Sequence, residues 1–188
     1  MPADLDAAAE AIEAFLRALD LPTEGDPELV GTGMRVAKAF AEELLSGYAM
    51  DPREILASDT STRAPGIVVL KHVETTAVCP HHLLPAHGTV TLGYLPGDRV
   101  AGLGALARLV QCRARRLVLQ EDLGQTLADD LVALLGAKAA GCVVALEPTC
   151  VTARGARAHG AEARTLAFAG EATDAFRTEF LALAGFTA

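Results

Sequence analysis

The sequence predicts an α+β fold, an antiparallel sheet with helices on one face, preceded by N-terminal helices. Three observations carry this. Up to about residue 60, apolar residues recur at helical spacing. From Gly66 onward, runs rich in β-branched residues take over. Those runs fall in the order ββααββ, with strand pairs at both ends and two helical patterns between them. An N-terminal helical region is therefore expected over 1–60 and a sheet-bearing domain over 61–188.

The first helix rests on Ile12, Phe15, Leu16 and Leu19, which follow the i, i+3, i+4, i+7 rule, and Leu21-Pro22 with Gly25 stops it. Asp26-Pro27 is a cap followed by a first-turn proline and opens a short segment. Thr32 is the expected cap of a further helix, with Val36, Phe40 and Leu44 at four-residue spacing and Gly47 as its stop. Asp51-Pro52 marks a turn, and Ser58 to Gly66 reads as a polar connector. GIVVLKHVETTAV and GTVTLGYLPGD read as strands, the second closed by a Pro-Gly turn. In the next helix Leu103, Leu106 and Val110 form the expected buried stripe, with Arg108, Cys112, Arg115 and Arg116 on the other face. A second helix is expected from a Thr126 cap through Leu127, Leu131, Leu134 and Leu135. CVVALEPTCVT and ARTLAFAG read as two more strands, before a closing helix with Phe176 and Phe180.

A chain of 188 residues, half of them apolar, can bury a real core. With 16 basic against 24 acidic residues the net charge is −8, which argues against nucleic acid or an anionic membrane as main partner. Between Arg99 and Arg164, however, nine basic residues outnumber six acidic ones. A local arginine excess in an acidic protein suits a small anionic ligand. The longest strongly apolar stretch, Leu131 to Leu146, is interrupted by Lys138 and falls short of the ~20 residues a bilayer span needs. The N-terminus MPADLDAAAE lacks the basic-then-apolar order of a signal peptide, so a cytoplasmic location is expected. In that compartment the four cysteines are expected as buried thiols or metal ligands rather than disulfides.

Cys79-Pro80-His81-His82 places a thiol and two imidazoles within four residues. A turn at Pro80 would let Cys79 and His82 converge on one cation, the local arm of a tetrahedral zinc site. Cys150, read at the end of a later strand, is the best third ligand. Two Cys and one His leave a fourth position for water, beside which His81 could carry a proton. The same spacing also accommodates an unligated buried cysteine with a surface His pair. It equally accommodates a structural zinc completed by His72, His87 or Cys142. Cys112, mid-helix, reads as a packing residue.

CPHHLLPAHGTVTLGYLP resembles the segment of GTP cyclohydrolase I that gives a Cys and a His to zinc, with the catalytic His between them. TGMRVAKAFAEELLSGYAMDP resembles that family's N-terminal helix, GLGALARLVQ and RRLVLQEDL its two central helices, and CVTARG the strand bearing the last zinc ligand. Order and spacing hold from about Gly31 to Gly155. The resemblance implies a T-fold, in which ββααββ units join side by side into a barrel, as a homodecamer of two pentameric rings. Its active sites would lie between subunits, with Glu121 and the metal contributed by different ones. It implies zinc on Cys79, His82 and Cys150, and His81 as the proton-transfer residue. Glu121, with its neighbour Gln120, would read the guanine edge, and Arg108 and Arg154 would hold the triphosphate. The implied reaction opens the imidazole ring of GTP, releases formate, and closes to 7,8-dihydroneopterin triphosphate. A zinc hydrolase acting on a different or less phosphorylated purine, or a non-catalytic purine- or pterin-binding module, are the alternatives.

Three departures from the family pattern support those alternatives. Pro148 stands where the family has a second catalytic His, and proline has no proton to transfer. Glu147, His159 and His87 are the candidates to replace it. Gly104-Ala105 replaces a Ser-Lys pair, and AHGAEARTLAFAG replaces a run rich in Ser and Thr. Apart from these three, the segment resembling the N-terminal helix has Gly33 where the family usually has Pro.

Overall fold

The computed structural model describes residues 3–23, 25–57, 60–61 and 66–186. Most of the connector expected over Ser58 to Gly66 lies outside the described residues. The chain divides into two compact units, Met1–Ser46 and Gly47–Ala188.

In the first unit, helix α1 (Leu5–Ala18) is capped by the Asp4 carboxylate, which accepts from the Ala7 N–H at 3.0 Å. Its expected stripe is only partly covered. Ile12 and Leu16 are half-buried, while Phe15 is 59% exposed and Leu19 lies beyond the last turn at 55%. Helix α2 (Thr32–Lys38) starts from Gly31 in the left-handed region, not from a Thr32 cap. The Thr32 hydroxyl is occupied instead, accepting from Arg35 at 2.8 Å. A π-helical turn, Ala39–Leu44, continues α2. Gly33 has a use that proline could not fill: its N–H donates to the Glu13 carboxylate at 2.6 Å, tying α2 to α1.

The second unit opens with α3 (Pro52–Ala57) and a two-residue strand β1 (Thr60–Ser61) paired with β4 (Val100–Ala101). Its main sheet is antiparallel, in the order β2 (Val68–Val78), β3 (Pro85–Leu95), β5 (Ala139–Pro148), β6 (Ala163–Gly170). Helices α4 (Leu103–Ala114) and α5 (Gln120–Ala133) lie between the two strand pairs in sequence. Both pack on one sheet face, where Leu106, Leu109, Val110, Leu123, Leu127 and Leu131 meet Val90, Leu92, Tyr94, Cys142, Val144 and Leu146. A bidentate ion pair, Arg113 to Asp130 at 2.6 and 2.7 Å, ties α4 to α5. This is the α+β T-fold arrangement.

Several local expectations are corrected. Leu103 is 59% exposed and contributes nothing to the α4 stripe, whereas Leu109 and Cys112 are fully buried. Helix α5 begins at Gln120, so Thr126 is interior. Strand β5 ends at Pro148, and Thr149–Thr152 form a short helix, α6. The closing helix α7 (Asp174–Ala184) covers part of the opposite sheet face. There Phe176 and Phe180 pack on Ala139 and Val143, with Phe168 alongside. Gly93 and Gly141 make that seat, since a Cβ on either would lie 3.1 or 2.9 Å from the Phe180 ring.

Candidate metal centre and pocket

The chain leaves β2 at Val78 and re-enters the sheet at Pro85, so Cys79 and His82 fall in the connecting turn. Two backbone bonds close it, Cys79 N–H to Leu84 O at 3.0 Å and Leu83 N–H to Cys79 O at 2.9 Å. Leu83 takes a left-handed conformation, φ 54°, to complete the loop. The turn folds the imidazole of His82 back on Cys79, with Nδ1 3.8 Å from Sγ. Cys150 enters from the other side of β3, in the α6 turn that follows β5. The one rung beyond Ala86↔Pro148 would pair two residues of which Pro85 has no N–H to give, and the backbone turns into α6 there.

The donor atoms of Cys79, His82 and Cys150 all lie within 4.8 Å of one another. Tetrahedral zinc with bonds of ~2.0–2.3 Å to N and S would set such atoms roughly 3.5–3.8 Å apart. Two thiols and one imidazole at this spacing therefore fit a zinc ion after a contraction of roughly 1.3 Å at most. Burial, and then the neighbouring Cys79 thiol, push the Cys150 thiol above its usual value, with Arg154 partly opposing. A divalent cation between the two sulfurs relieves that resistance at Cys150.

The fourth ligands weighed from sequence do not join this group among the described residues. Cys142 is fully buried in the core, its thiol pushed up to about 12 by desolvation. His87 alternates along β3 with Ala86, which lines the pocket, and so projects from the other sheet face. Glu147, opposite His87 in the register and next to the pocket residue Pro148, shares that face. Neither can replace a proton carrier at Pro148. His159 lies exposed in the loop after α6, outside the pocket lining.

A cavity of about 240 Å³ adjoins the cluster. Its apolar wall includes Ala77, Ala86, Val118, Leu119, Leu146 and Pro148, and its polar groups are Cys79, His81, His82, Gln120, Glu121 and Cys150. His81 stands beside His82 with the ring planes at 87° and centroids 6.3 Å apart. Glu121 is exposed in the first turn of α5, where a carboxylate also meets the positive helix end. Gln120 spends both amide hydrogens on the backbone, donating to Val144 O at 3.0 Å and Ala163 O at 2.8 Å. Its Oε1 is left as the group able to accept from a ligand. Glu121 and the Cys–His–Cys cluster border one pocket within this chain. Arg108, exposed on α4, and Arg154, exposed after α6, lie outside the pocket lining. Of the residues replacing the family's Ser-Lys pair, Gly104 is exposed but Ala105 is fully buried in the core.

Sequence reasoning missed the apolar wall from Val118, Leu119 and Leu146, and also Ala163. Leu119 and Val118 directly precede Gln120, so the start of α5 at Gln120, once known, points to them. An α+β domain with an open-sided Cys–His–Cys cluster beside an apolar cleft defines a T-fold protein with the ligand set of a metal-dependent hydrolase. Residues 8–185 match the family model described as GTP cyclohydrolase I, and the chain belongs to that family. It is 38% identical to GTP cyclohydrolase 1 of Bifidobacterium longum (strain DJO10A), over 89% of this chain and 83% of that one. To GTP cyclohydrolase 1 of Thermobifida fusca (strain YX) it is 36% identical, over 94% and 86%. To that of Wolinella succinogenes it is 42% identical, over 68% of each chain. Among solved structures, the apo form of the archaeosine synthase QueF-Like is similar at a TM-score of 0.48 and 20% identity. That likeness covers 57% of this chain and 97% of the other. No helix among the described residues is long and apolar enough to cross a membrane.

Proposed function

We propose that this chain is a zinc-dependent cyclohydrolase of the GTP cyclohydrolase I type, opening the imidazole ring of a guanine nucleotide. The product series ends in formate and 7,8-dihydroneopterin triphosphate. The observation that carries the reading is the convergence of Cys79, His82 and Cys150 on the pocket that Glu121 also borders. These three side chains would hold zinc, which when bound supplies Lewis-acid activation of water. His81 would take a proton from the attacking water and give one to the ring nitrogen whose bond to the attacked carbon breaks, the work of a positioned imidazole near neutral pH. The Glu121 carboxylate would accept from the two adjacent N–H donors of the guanine edge, and Gln120 Oε1 would add an acceptor beside it. The apolar wall would exclude water from the purine faces. Arg108 and Arg154 would hold phosphate oxygens.

The assembly would be a homodecamer. Strands β2 and β6 are the edges of the main sheet, and closing such units into a barrel removes both edges. The enzyme would work in the cytoplasm on a small purine, with neither nucleic acid nor membrane as partner.

A second reading has its own observation. Pro148 stands in the pocket wall where the family has a proton-transferring His, and neither Glu147 nor His87 faces the pocket. Turnover of GTP would then be slow and a less phosphorylated purine preferred. The test is kcat/KM for GTP against guanosine and guanine, followed by formate release and pterin fluorescence, with Cys150→Ser as the metal control. Clear preference for GTP with pterin formation upholds the first reading. Preference for a smaller purine upholds the second, and no turnover of any purine by zinc-loaded protein rejects both in favour of a binding module.

A further inference from the structure

The three expected ligands come from two segments that share no sequence, and something must hold those segments in register. Cys79 and His82 ride on the turn between β2 and β3, and Cys150 on the α6 turn after β5. Both meet at Pro85. That residue is the last β3 partner of Val78, directly before Cys79, and it precedes Ala86, the last β3 partner of Pro148. Pro85 and Pro148 both lack an N–H, so this end of the β3–β5 ladder has lost two backbone donors. The Thr149 hydroxyl donates to Pro85 O at 2.5 Å. It acts as one further rung where the main chain has already left the sheet.

We propose that Thr149 is a positioning residue of the metal centre, its hydroxyl pinning the Cys150 turn to the strand end that carries the Cys79–His82 loop. The inference rests on reading Cys79, His82 and Cys150 as metal ligands. Thr149 itself coordinates nothing. It sets where the Cys150 thiol stands relative to the other two donors, all three lying within 4.8 Å of one another. A ligand that must be pulled in from an unpinned turn binds more weakly, because the ordering entropy is then lost on binding.

The experiment uses the full chain stripped of metal. Zinc affinity is measured by competition with a chromophoric chelator, and cobalt is added to read the thiolate charge-transfer band. Thr149→Val removes the hydroxyl at nearly constant volume, and Thr149→Ser keeps it. The Val variant is expected to bind zinc ~10- to 100-fold more weakly, with a weaker cobalt–thiolate band. Its metal-free Tm should stay within about 4 °C of wild type. The Ser variant is expected to restore affinity and band together. Should the Val variant not fold, Thr149→Ala against Thr149→Ser gives the same comparison. Wild-type affinity in the folded Val or Ala variant, or a Ser variant as weak as Val, overturns the proposal while leaving the metal site standing. Failure of the ligand reading has a different signature. Wild type would then bind no stoichiometric metal, or Cys150→Ser would bind as tightly as wild type, and the Thr149 proposal falls with it.

Discussion

Replacing Gln120 by Leu should loosen the first turn of α5, and with it the carboxylate beside the pocket. Gln120 makes two bonds, to Val144 O at 3.0 Å and Ala163 O at 2.8 Å. A neutral intramolecular hydrogen bond contributes about 0.5–1.5 kcal/mol net. Val144 is fully buried, so its carbonyl finds no water in exchange, and that bond belongs near the upper end. Ala163 is exposed, so its carbonyl can be rehydrated and the bond belongs near the lower end. The sum is roughly 2 kcal/mol. At about 2–4 °C per kcal/mol for a chain of this size, Tm should fall by about 4–8 °C. Gln125 is the internal control, since its bonds to Asp129 and to Phe168 O are both exposed. Gln125→Leu should cost under about 0.5 kcal/mol, or less than about 2 °C. Differential scanning calorimetry on the two variants decides the stability part. Steady-state kinetics should show a larger rise in KM than fall in kcat for Gln120→Leu, because Glu121 rides on the loosened turn. Equal Tm shifts for the two variants, or a shift below about 1 °C for Gln120→Leu, would refute the reasoning.

Three further outcomes are expected. Asp130 is the more enclosed member of its ion pair, with side-chain exposures of 10% against 21% for Arg113. Arg113→Met should therefore destabilise by roughly 2–3 kcal/mol after allowing for solvent, and Asp130→Asn by about 1–2 kcal/mol; equal losses in urea unfolding would contradict this. Burial raises the Cys142 thiol from an ordinary 9.0 to about 12, so the folded state favours the protonated form. Its contribution is fully present below pH 9 and is lost as pH rises towards 12, at roughly 1.4 kcal/mol per pH unit. The buried Tyr94 phenol, also raised by desolvation, adds its own slope at higher pH. The difference between wild type and Cys142→Ala isolates the thiol, and parallel curves above pH 9 would refute the assignment. Finally, Pro148→His puts an imidazole into the pocket wall and should raise GTP turnover by up to ~10²-fold at constant zinc content. No rise would place the limiting step elsewhere.

The order of elements was legible because alternation and β-branching mark β2, β3, β5 and β6 strongly. The Cys79–His82 arm was legible because both residues sit within one turn. Cys150 was legible as a chemical candidate and misread as structure. Thr149-Cys150-Val151-Thr152 has the composition of a strand, but two prolines at the sheet end remove the donors that would continue one. The start of α5 was missed because its N-cap, Leu119, has no polar side chain to signal it. In α4 the stripe runs through Leu109 and not through Leu103, which lies in the first turn and is exposed, while Cys112, grouped with arginines on the far face, is buried as its reading as a packing residue implies. Arg113 and Arg116 allow that burial: one turns to Asp130 and the other to the Cys112 and Gly47 carbonyls, leaving the thiol enclosed. The sheet face that each strand residue occupies, which separates His87 and Glu147 from the pocket, depends on register and is not written in any short motif.

The seat of Phe180 on Gly141 makes the history of substitution at these two sites depend on its order. A side chain introduced at 141 while both rings are present meets Phe180 at 2.9 Å and Phe168 at 3.0 Å, and α7 must lift from the sheet. Shrinking Phe180 first removes the nearer obstacle, and a later methyl at 141 then has only the Phe168 ring to displace. Position 93 follows no such order, because a Cβ there would meet Val68 O and a Val69 methyl carbon at 2.8 Å whatever stands at 180. A library randomised one site at a time would score both glycines as immutable. Varied together with position 180, only 141 would gain tolerance.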